Sequence, residues 1–151
     1  MALDNPISPT HEYTLSDYTI TASGKKGIFA FAKAGEVGGV EDANYDGKPE
    51  SKTVGGSGPN PRAHTRTVNK PMCEMTLPQD IAQSFEKFVG RDGTVDMIFT
   101  RQAPGGSPVT DVVKTWKPMF GGPSIKGGDA TSVKVTGNGL RLDKDTKGVI
   151  A

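Results

Sequence analysis

The stretch from Thr76 to Gly90 constrains the fold most, because it has the pattern of an amphipathic helix and most of the chain around it does not. Thr76, with Gln79 three residues later, matches a capping box, which satisfies backbone N–H groups at a helix start. Gly90 is the kind of residue that ends a helix with a positive φ. A single amphipathic helix must bury its apolar stripe, and here the candidate partner is a β-sheet. The predicted stripe consists of Leu77, Ile81, Phe85 and Phe88.

Composition favours a small, loop-rich β protein. The chain has 151 residues, which suggests one domain, and only 34% of them are hydrophobic, with 20 Gly and 11 Pro. We therefore predict a single domain, mainly β with one α-helix, built as an antiparallel β-sandwich or barrel that the helix flanks.

The charge balance argues against several classes of function. Eighteen basic residues stand against 17 acidic ones, a net charge of +1, which is not the footprint of a dedicated nucleic-acid binder. Polybasic runs and apolar runs of about 18 residues are absent from the sequence, so we expect no membrane partner. Cys73 is the only cysteine, which excludes an intramolecular disulfide. The first residues lack the pattern of a signal peptide. We expect a soluble protein that folds in a cytoplasm.

Alternating apolar and polar residues predict the strands. Pro71 cannot donate to a ladder, so the strand that contains it is predicted at a sheet edge or with a bulge. Residues 94–102 and 109–117 are predicted to be antiparallel neighbours, with Val113 and Trp116 on opposite faces of the second strand. Residues 118–129 leave room for one very short strand. The predicted strands are 13–23, 28–33, 66–75, 94–102, 109–117, 130–136 and one that begins at 140–142.

Three segments lack such a pattern. Residues 1–12 are predicted to be an extended arm, and 143–151 a polar tail. Residues 34–65 are rich in glycine and proline, and loops beyond about 12–15 residues tend to be functional or disordered. We interpret 34–65 as an interaction loop that orders against a partner; the alternative is a flexible surface insertion. Its candidate contact residues are Glu41, Asp42, Tyr45, Asp46, Lys48, Arg62, His64 and, just beyond the loop, Arg66.

No catalytic or cofactor motif emerges. His11 and His64 have no Cys, Asp or Glu partner at metal-ligand spacing, and Cys73 has no activating base nearby. The glycine-rich run 55–59 could bind an anion, but it opens neither a helix nor a GK[ST] motif. We therefore predict no catalytic residue, metal or cofactor, and a structural or binding protein rather than an enzyme.

The order of these elements resembles the tail tube proteins of bacteriophages, which share a fold with the tube proteins of contractile injection systems and type VI secretion. The resemblance is carried mainly by TLPQDIAQSFEKFVG with the strand before it, and by KVTGNGLRL near the end of the chain. It implies a sandwich or barrel with one flanking helix, which forms hexameric rings that stack into a hollow tube. The inner wall of such a tube is a β-barrel built by all six subunits.

The resemblance also implies partners and surfaces. The chain would contact copies of itself within and between rings, and sheath, baseplate or tail terminator proteins are further candidates. DNA would be only a non-specific passing cargo, and the location would be a virion tail assembled in the bacterial host cytoplasm. Tubes that pass DNA are often acidic inside, whereas this chain is balanced, so the sign of the lumen charge stays open. The lumen-facing candidates, depending on register, are Asp96, Thr100 and Arg101, or Asp111, Lys114 and Thr115.

Two other hypotheses compete with this one. A monomeric β-sandwich could bind a ligand or peptide with residues 35–65. A hydrolase built around Cys73 or His64 ranks last, because neither residue has a partner in the sequence. The sequence alone does not separate contractile from non-contractile tails, and it does not give the ring symmetry.

Overall fold

Two antiparallel sheets and one α-helix make up most of the part of the chain that the structure describes. This computed structural model describes residues 13–46, 50–54, 63–67, 71–102 and 107–145. The helix α1 spans Gln79–Val89, and a short 3-10 helix spans Leu15–Asp17. In chain order the strands are β1 (Thr19–Gly24), β2 (Gly27–Ala30), β3 (Asp42–Tyr45), β4 (Glu50–Val54), β5 (Ala63–Thr67), β6 (Met72–Pro78), β7 (Val95–Gln102), β8 (Pro108–Trp116), β9 (Met119–Ser124), β10 (Ser132–Asn138) and β11 (Arg141–Lys144).

The strands form a sandwich. One sheet has the order β11-β8-β7-β1-β2 and the other has the order β3-β6-β10-β9. Among the described residues, strands β4 and β5 pair only with each other, as a separate two-stranded sheet. The predicted fold class, mainly β with one flanking helix, is confirmed.

The core is built from every second side chain along the strands, because successive side chains of a strand point to opposite faces of the sheet. Val95, Met97 and Phe99 alternate along β7 and are all buried, as predicted. The other sheet contributes Cys73, Met75 and Leu77 from β6 in the same way. These side chains and those of β10 form one cluster with Phe85 of α1 and Trp116 of β8.

The helix begins two residues later than predicted, because its N-cap residue is Pro78 and not Thr76. Thr76 and Leu77 belong to β6, where they pair with Lys134 and Val133 of β10, and Pro78 is the N-cap residue without a side-chain cap. A residue before proline is disfavoured in the helical conformation, which keeps Leu77 extended. The predicted capping box is therefore wrong. Gly90 does end the helix, with φ +83° and ψ 168°.

The predicted apolar stripe is shared between two elements. Leu77 reaches the core from β6 and not from the helix. On α1 itself Phe85 is fully buried, while Ile81 and Phe88 are half-buried and pack against the core. The small Ala82, outside the predicted stripe, is also buried.

The predicted loop 34–65 has two structurally different parts. Its first part belongs to the sandwich: Val40 is only 3% exposed, Gly39 bridges to Ala32, and β3 pairs with β6. Its second part contains β4 and the start of β5, which form the separate hairpin. The sequence of β3, Asp-Ala-Asn-Tyr, has no apolar alternation, so its strand conformation depends on the ladder that β6 offers. That ladder also makes β6 an interior strand, which corrects the predicted edge position; Pro71 lies just before the strand begins.

A bulge in β8 corrects the predicted faces of that strand. The register with β7 shifts between Val95 and Met97, and Thr115 has a φ of +53°. The extra residue turns Trp116 to the same buried side as Val113.

Several boundaries also differ from the prediction. The 3-10 helix occupies the start of the predicted strand 13–23, β2 is shorter than 28–33, and β11 extends to Lys144 into the predicted tail. Strand β9 occupies the turn-rich segment 118–129. The predicted arm 1–12 lies outside the described residues.

Candidate assembly surfaces

The outer face of the five-stranded sheet is polar and rich in threonine. Register places Thr21 opposite Ile98 and Ile98 opposite Val112, so these residues share the face that points away from the other sheet. The hydroxyl oxygens of Thr100 and Thr110 lie 3.3 Å apart on it. Its members on the three central strands are Thr19, Thr21, Ser23, Asp96, Ile98, Thr100, Thr110, Val112 and Lys114.

The six lumen-facing candidates do not lie on one surface. Asp96, Thr100 and Lys114 are on the outer face, and Thr115 is exposed at the bulge. Asp111 is turned towards the other sheet, because its carboxylate accepts a 2.6 Å hydrogen bond from the hydroxyl group of Tyr45 on β3. Arg101 lies on the same side of its strand as Phe99.

Asp96 holds the bulge at one end of this face. Its carboxylate accepts a 2.9 Å hydrogen bond from the backbone N–H of Thr115. It also lies 3.6 Å from the ammonium group of Lys114, but both side chains are more than a third exposed, so this ion pair adds little stability. The bulge thus presents a paired acid and base at the surface.

A cavity of about 400 Å³ opens between the sheets beside β3. All three tyrosines of the chain line it, together with Phe99, which stacks on Tyr45 at a centroid distance of 4.2 Å. The guanidinium of Arg101 lies over one of the tyrosine rings, 4.4 Å from its centre. We call this the tyrosine–aspartate cavity; its titratable lining residues are Tyr13, Tyr18, Tyr45, Asp42, Asp46, Asp111 and Lys144.

The charges in this cavity are partly neutralised. Lys144 of β11 pairs with Asp46, which follows β3. Burial raises the pKa of the Tyr45 hydroxyl above its ordinary value, and the hydrogen bond to Asp111 raises it further. Tyr45 is therefore a neutral donor at physiological pH.

The structure brings three of the predicted loop residues together at this cavity: Asp42, Tyr45 and Asp46. Glu41 is exposed beside them, and its backbone N–H donates to the carbonyl of Thr76. His64 and Arg66 lie on β5 of the separate two-stranded sheet, opposite Thr53 and Ser51 of β4. Lys48 and Arg62 are outside the described residues.

Sequence reasoning did not find the cavity. Tyr13 and Tyr18 come from one segment and Tyr45 from a distant one, and no spacing in the sequence relates the two segments. The sequence offered one signal, which is that three of its few aromatic residues are tyrosines. Their convergence depends on the packing of β3 against β7 and β8.

The described residues contain no group of three or more His, Cys, Asp or Glu side chains that could hold a metal ion. Burial raises the pKa of the Cys73 thiol to about 12, so it carries almost no reactive thiolate at neutral pH. No helix among the described residues has the length and apolar character that a membrane crossing needs.

No protein-family model matches the chain, and no curated protein matches it in sequence. A solved structure does match: the cryo-EM structure of the anti-feeding prophage baseplate, which was six-fold symmetrised. The alignment covers 90% of this chain and 97% of that chain, with a TM-score of 0.58. The two chains share a fold. At 8% sequence identity the likeness extends to the fold alone.

Proposed function

We propose that the protein is a structural subunit of a phage tail tube or of the tube of a related injection particle. Copies assemble into stacked rings, most simply of six, around a hollow conduit for DNA or another cargo. The observation that carries the proposal is the fold shared, over nearly the whole of both chains, with a protein from a six-fold baseplate. The role is passive and requires no catalytic residue.

Open sheet edges support assembly. The five-stranded sheet ends at β2 and β11, which have no further strand beside them in the described part of the chain. Ile28 on β2 is 72% exposed. Edge strands of this kind are templates for pairing with another chain, and a closed ring removes them. In the proposed ring, β2 of one copy lies beside β11 of the next.

The outer face of the five-stranded sheet is the candidate channel wall. Asp96, Thr100 and Lys114 would then face the lumen, with threonine hydroxyls between the charges. One acid and one base from this set leave the wall close to neutral, which suits a cargo that passes without binding. Arg101 and Asp111 are not part of this wall, because Asp111 lines the tyrosine–aspartate cavity and Arg101 lies over the ring of Tyr13.

The β4–β5 hairpin is the candidate contact between rings. Within the part of the chain that the structure describes, it shares no ladder with either main sheet, and an isolated two-stranded hairpin is at best marginally stable in water. A neighbouring ring would supply the missing contacts. Sheath, baseplate or terminator proteins would bind the outside or the ends of the tube.

Electron microscopy and sedimentation of the purified protein test this proposal. Rings and short tubes are expected at high concentration. A strictly monomeric protein at every concentration and salt tested would overturn it.

A shortened variant tests the hairpin separately. Tyr45 pairs with Cys73, so β3 and β6 are antiparallel neighbours that a short turn can join. Replacing residues 47–70 with such a turn should leave the sandwich folded, by circular dichroism and thermal unfolding, while single rings no longer stack. Unchanged tubes would show that the hairpin has no role in stacking.

A second candidate function is a monomeric binding module. The tyrosine–aspartate cavity favours it, because its volume suits a small ligand and residues of the predicted loop line it. Saturable ligand binding by a monomer that never assembles would support this alternative.

A further inference from the structure

A second concave surface lies where α1 ends. This groove of about 840 Å³ runs between the last turn of α1 and the start of β9. Its apolar floor includes the half-buried ring of Phe120 and Met119, which is 68% exposed. We call it the helix-end groove. An exposed methionine beside an aromatic ring is apolar surface that a partner can cover.

The helix-end groove is basic. Its lining has three basic residues, Lys87, Arg91 and Lys117, and one acidic residue, Glu86. None of the three cations is in an ion pair with another residue that the structure describes. The Lys26 ammonium lies next to the groove and donates to the carbonyl of Lys87 at 3.0 Å, which adds a further positive charge.

The tyrosine–aspartate cavity has the opposite charge. Three aspartates and one lysine line it, and the lysine is paired with Asp46. Asp42 has no cationic partner among the described residues; its carboxylate accepts a hydrogen bond from the N–H of Ala43. Arg101 already lies over the ring of Tyr13, so this aromatic wall accommodates a guanidinium.

The two surfaces lie at opposite ends of β8. This strand ends at Trp116, just before Lys117 of the groove, whereas Asp111 near its start lines the cavity. The cavity reaches across the five-stranded sheet from Ile20 of β1 to Lys144 of β11.

We propose that the helix-end groove of one copy binds the tyrosine–aspartate cavity of the next copy, with Arg91 placed against Asp42 and the tyrosine rings. This inference rests on the proposed function, since it requires a ring of identical copies. The contact is head-to-tail, and such contacts close into rings when the rotation between copies permits. The attraction between opposite charges would determine which surfaces of two copies bind each other.

Charge reversal tests the pairing. Arg91→Glu and Asp42→Arg should each weaken assembly about tenfold or more, because each places like charges in contact. The double variant Arg91→Glu with Asp42→Arg should recover most of the loss, because the attraction is restored in the opposite sense. Assembly is measured by sedimentation velocity over a range of protein concentrations, with circular dichroism to confirm folding.

Matched controls reverse charges elsewhere. Lys126→Glu and Asp129→Lys change exposed charges in the β9–β10 connection, outside both surfaces, and should leave assembly unchanged. Raising the salt from about 0.1 M to about 1 M should weaken the wild type more than the milder variant pair Arg91→Ala with Asp42→Asn, since salt screens exposed charges.

The outcomes separate the two proposals. If the wild type assembles, and the two single charge reversals assemble as well as the control variants do, this inference is wrong and the tube proposal stands. If the double variant loses as much assembly as the two single variants combined, Arg91 and Asp42 do not contact each other directly. A wild type that never assembles overturns the tube proposal and, with it, the inference.

Discussion

Cys73 illustrates how a single residue takes its chemistry from its position. On β6 its side chain points into the core between the sheets, where it is fully buried. Burial disfavours the thiolate and raises the pKa from 9.0 to about 12, with a smaller contribution from the neighbouring carboxylate of Glu74. The thiol therefore acts as a small apolar side chain.

This pKa shift predicts a pH dependence of stability. The folded state holds the thiol proton more tightly than the unfolded state, so the contribution is complete below pH 9.0 and is lost as pH rises towards about 12. Relative to Cys73→Ala, the wild type should lose up to about 1.4 kcal/mol of unfolding free energy per pH unit in that window. Urea unfolding of both proteins at a series of pH values measures the difference, and a constant difference across the window would contradict the prediction.

At the scale of elements, the end of α1 depends on Gly90. Its φ of +83° with ψ 168° is a conformation that is nearly restricted to glycine. A Cβ atom added there would meet nothing within 4 Å, so any cost of a substitution comes from the backbone alone. The glycine also positions Arg91, the residue that we place in the contact between copies.

Gly90→Ala should therefore destabilise the protein by about 1–3 kcal/mol. Gly122→Ala is the matched control, because Gly122 is equally open and has no positive φ. It should change stability by less than about 0.5 kcal/mol. Thermal or urea unfolding compares the two variants; equal effects would show that the backbone conformation at Gly90 carries no cost.

At the scale of the whole molecule, Phe85 joins the two sheets. Its ring centroid lies 5.4 Å from that of Phe29 on β2, 6.2 Å from that of Trp116 on β8 and 5.7 Å from that of Phe120 on β9. The helix thus packs against residues of both sheets. Since Phe85 is fully buried, the sandwich is expected to unfold with the helix as one unit.

Phe85→Ala should cost about 3–5 kcal/mol, because a large cavity would remain between the sheets. Since small domains have total stabilities of about 5–15 kcal/mol, this is a large share of the whole. Ser84→Ala, on the exposed side of the same helix, is the control and should have almost no effect. Chemical denaturation monitored by both tryptophan fluorescence and circular dichroism gives the two values. A loss below about 1 kcal/mol for Phe85→Ala would refute the bridging role.

The sequence by itself determined the elements whose pattern is local. The alternation of Val95, Met97 and Phe99 predicted β7, and the spacing of Ile81, Phe85 and Phe88 predicted the helix. Apolar residues recur at every second position in the strand and about every 3.6 positions in the helix. Both patterns are local, so they do not depend on distant residues. The mainly β fold class followed from these patterns and from the composition.

Only the tertiary structure decided the features that depend on distant partners. Strand β3 forms because β6 lies beside it, and the bulge at Thr115 turns Trp116 inward through its register with β7. The tyrosine–aspartate cavity and the helix-end groove likewise gather residues from separate segments. Backbone ladders and side-chain convergence are long-range contacts, and no local period in a sequence encodes them.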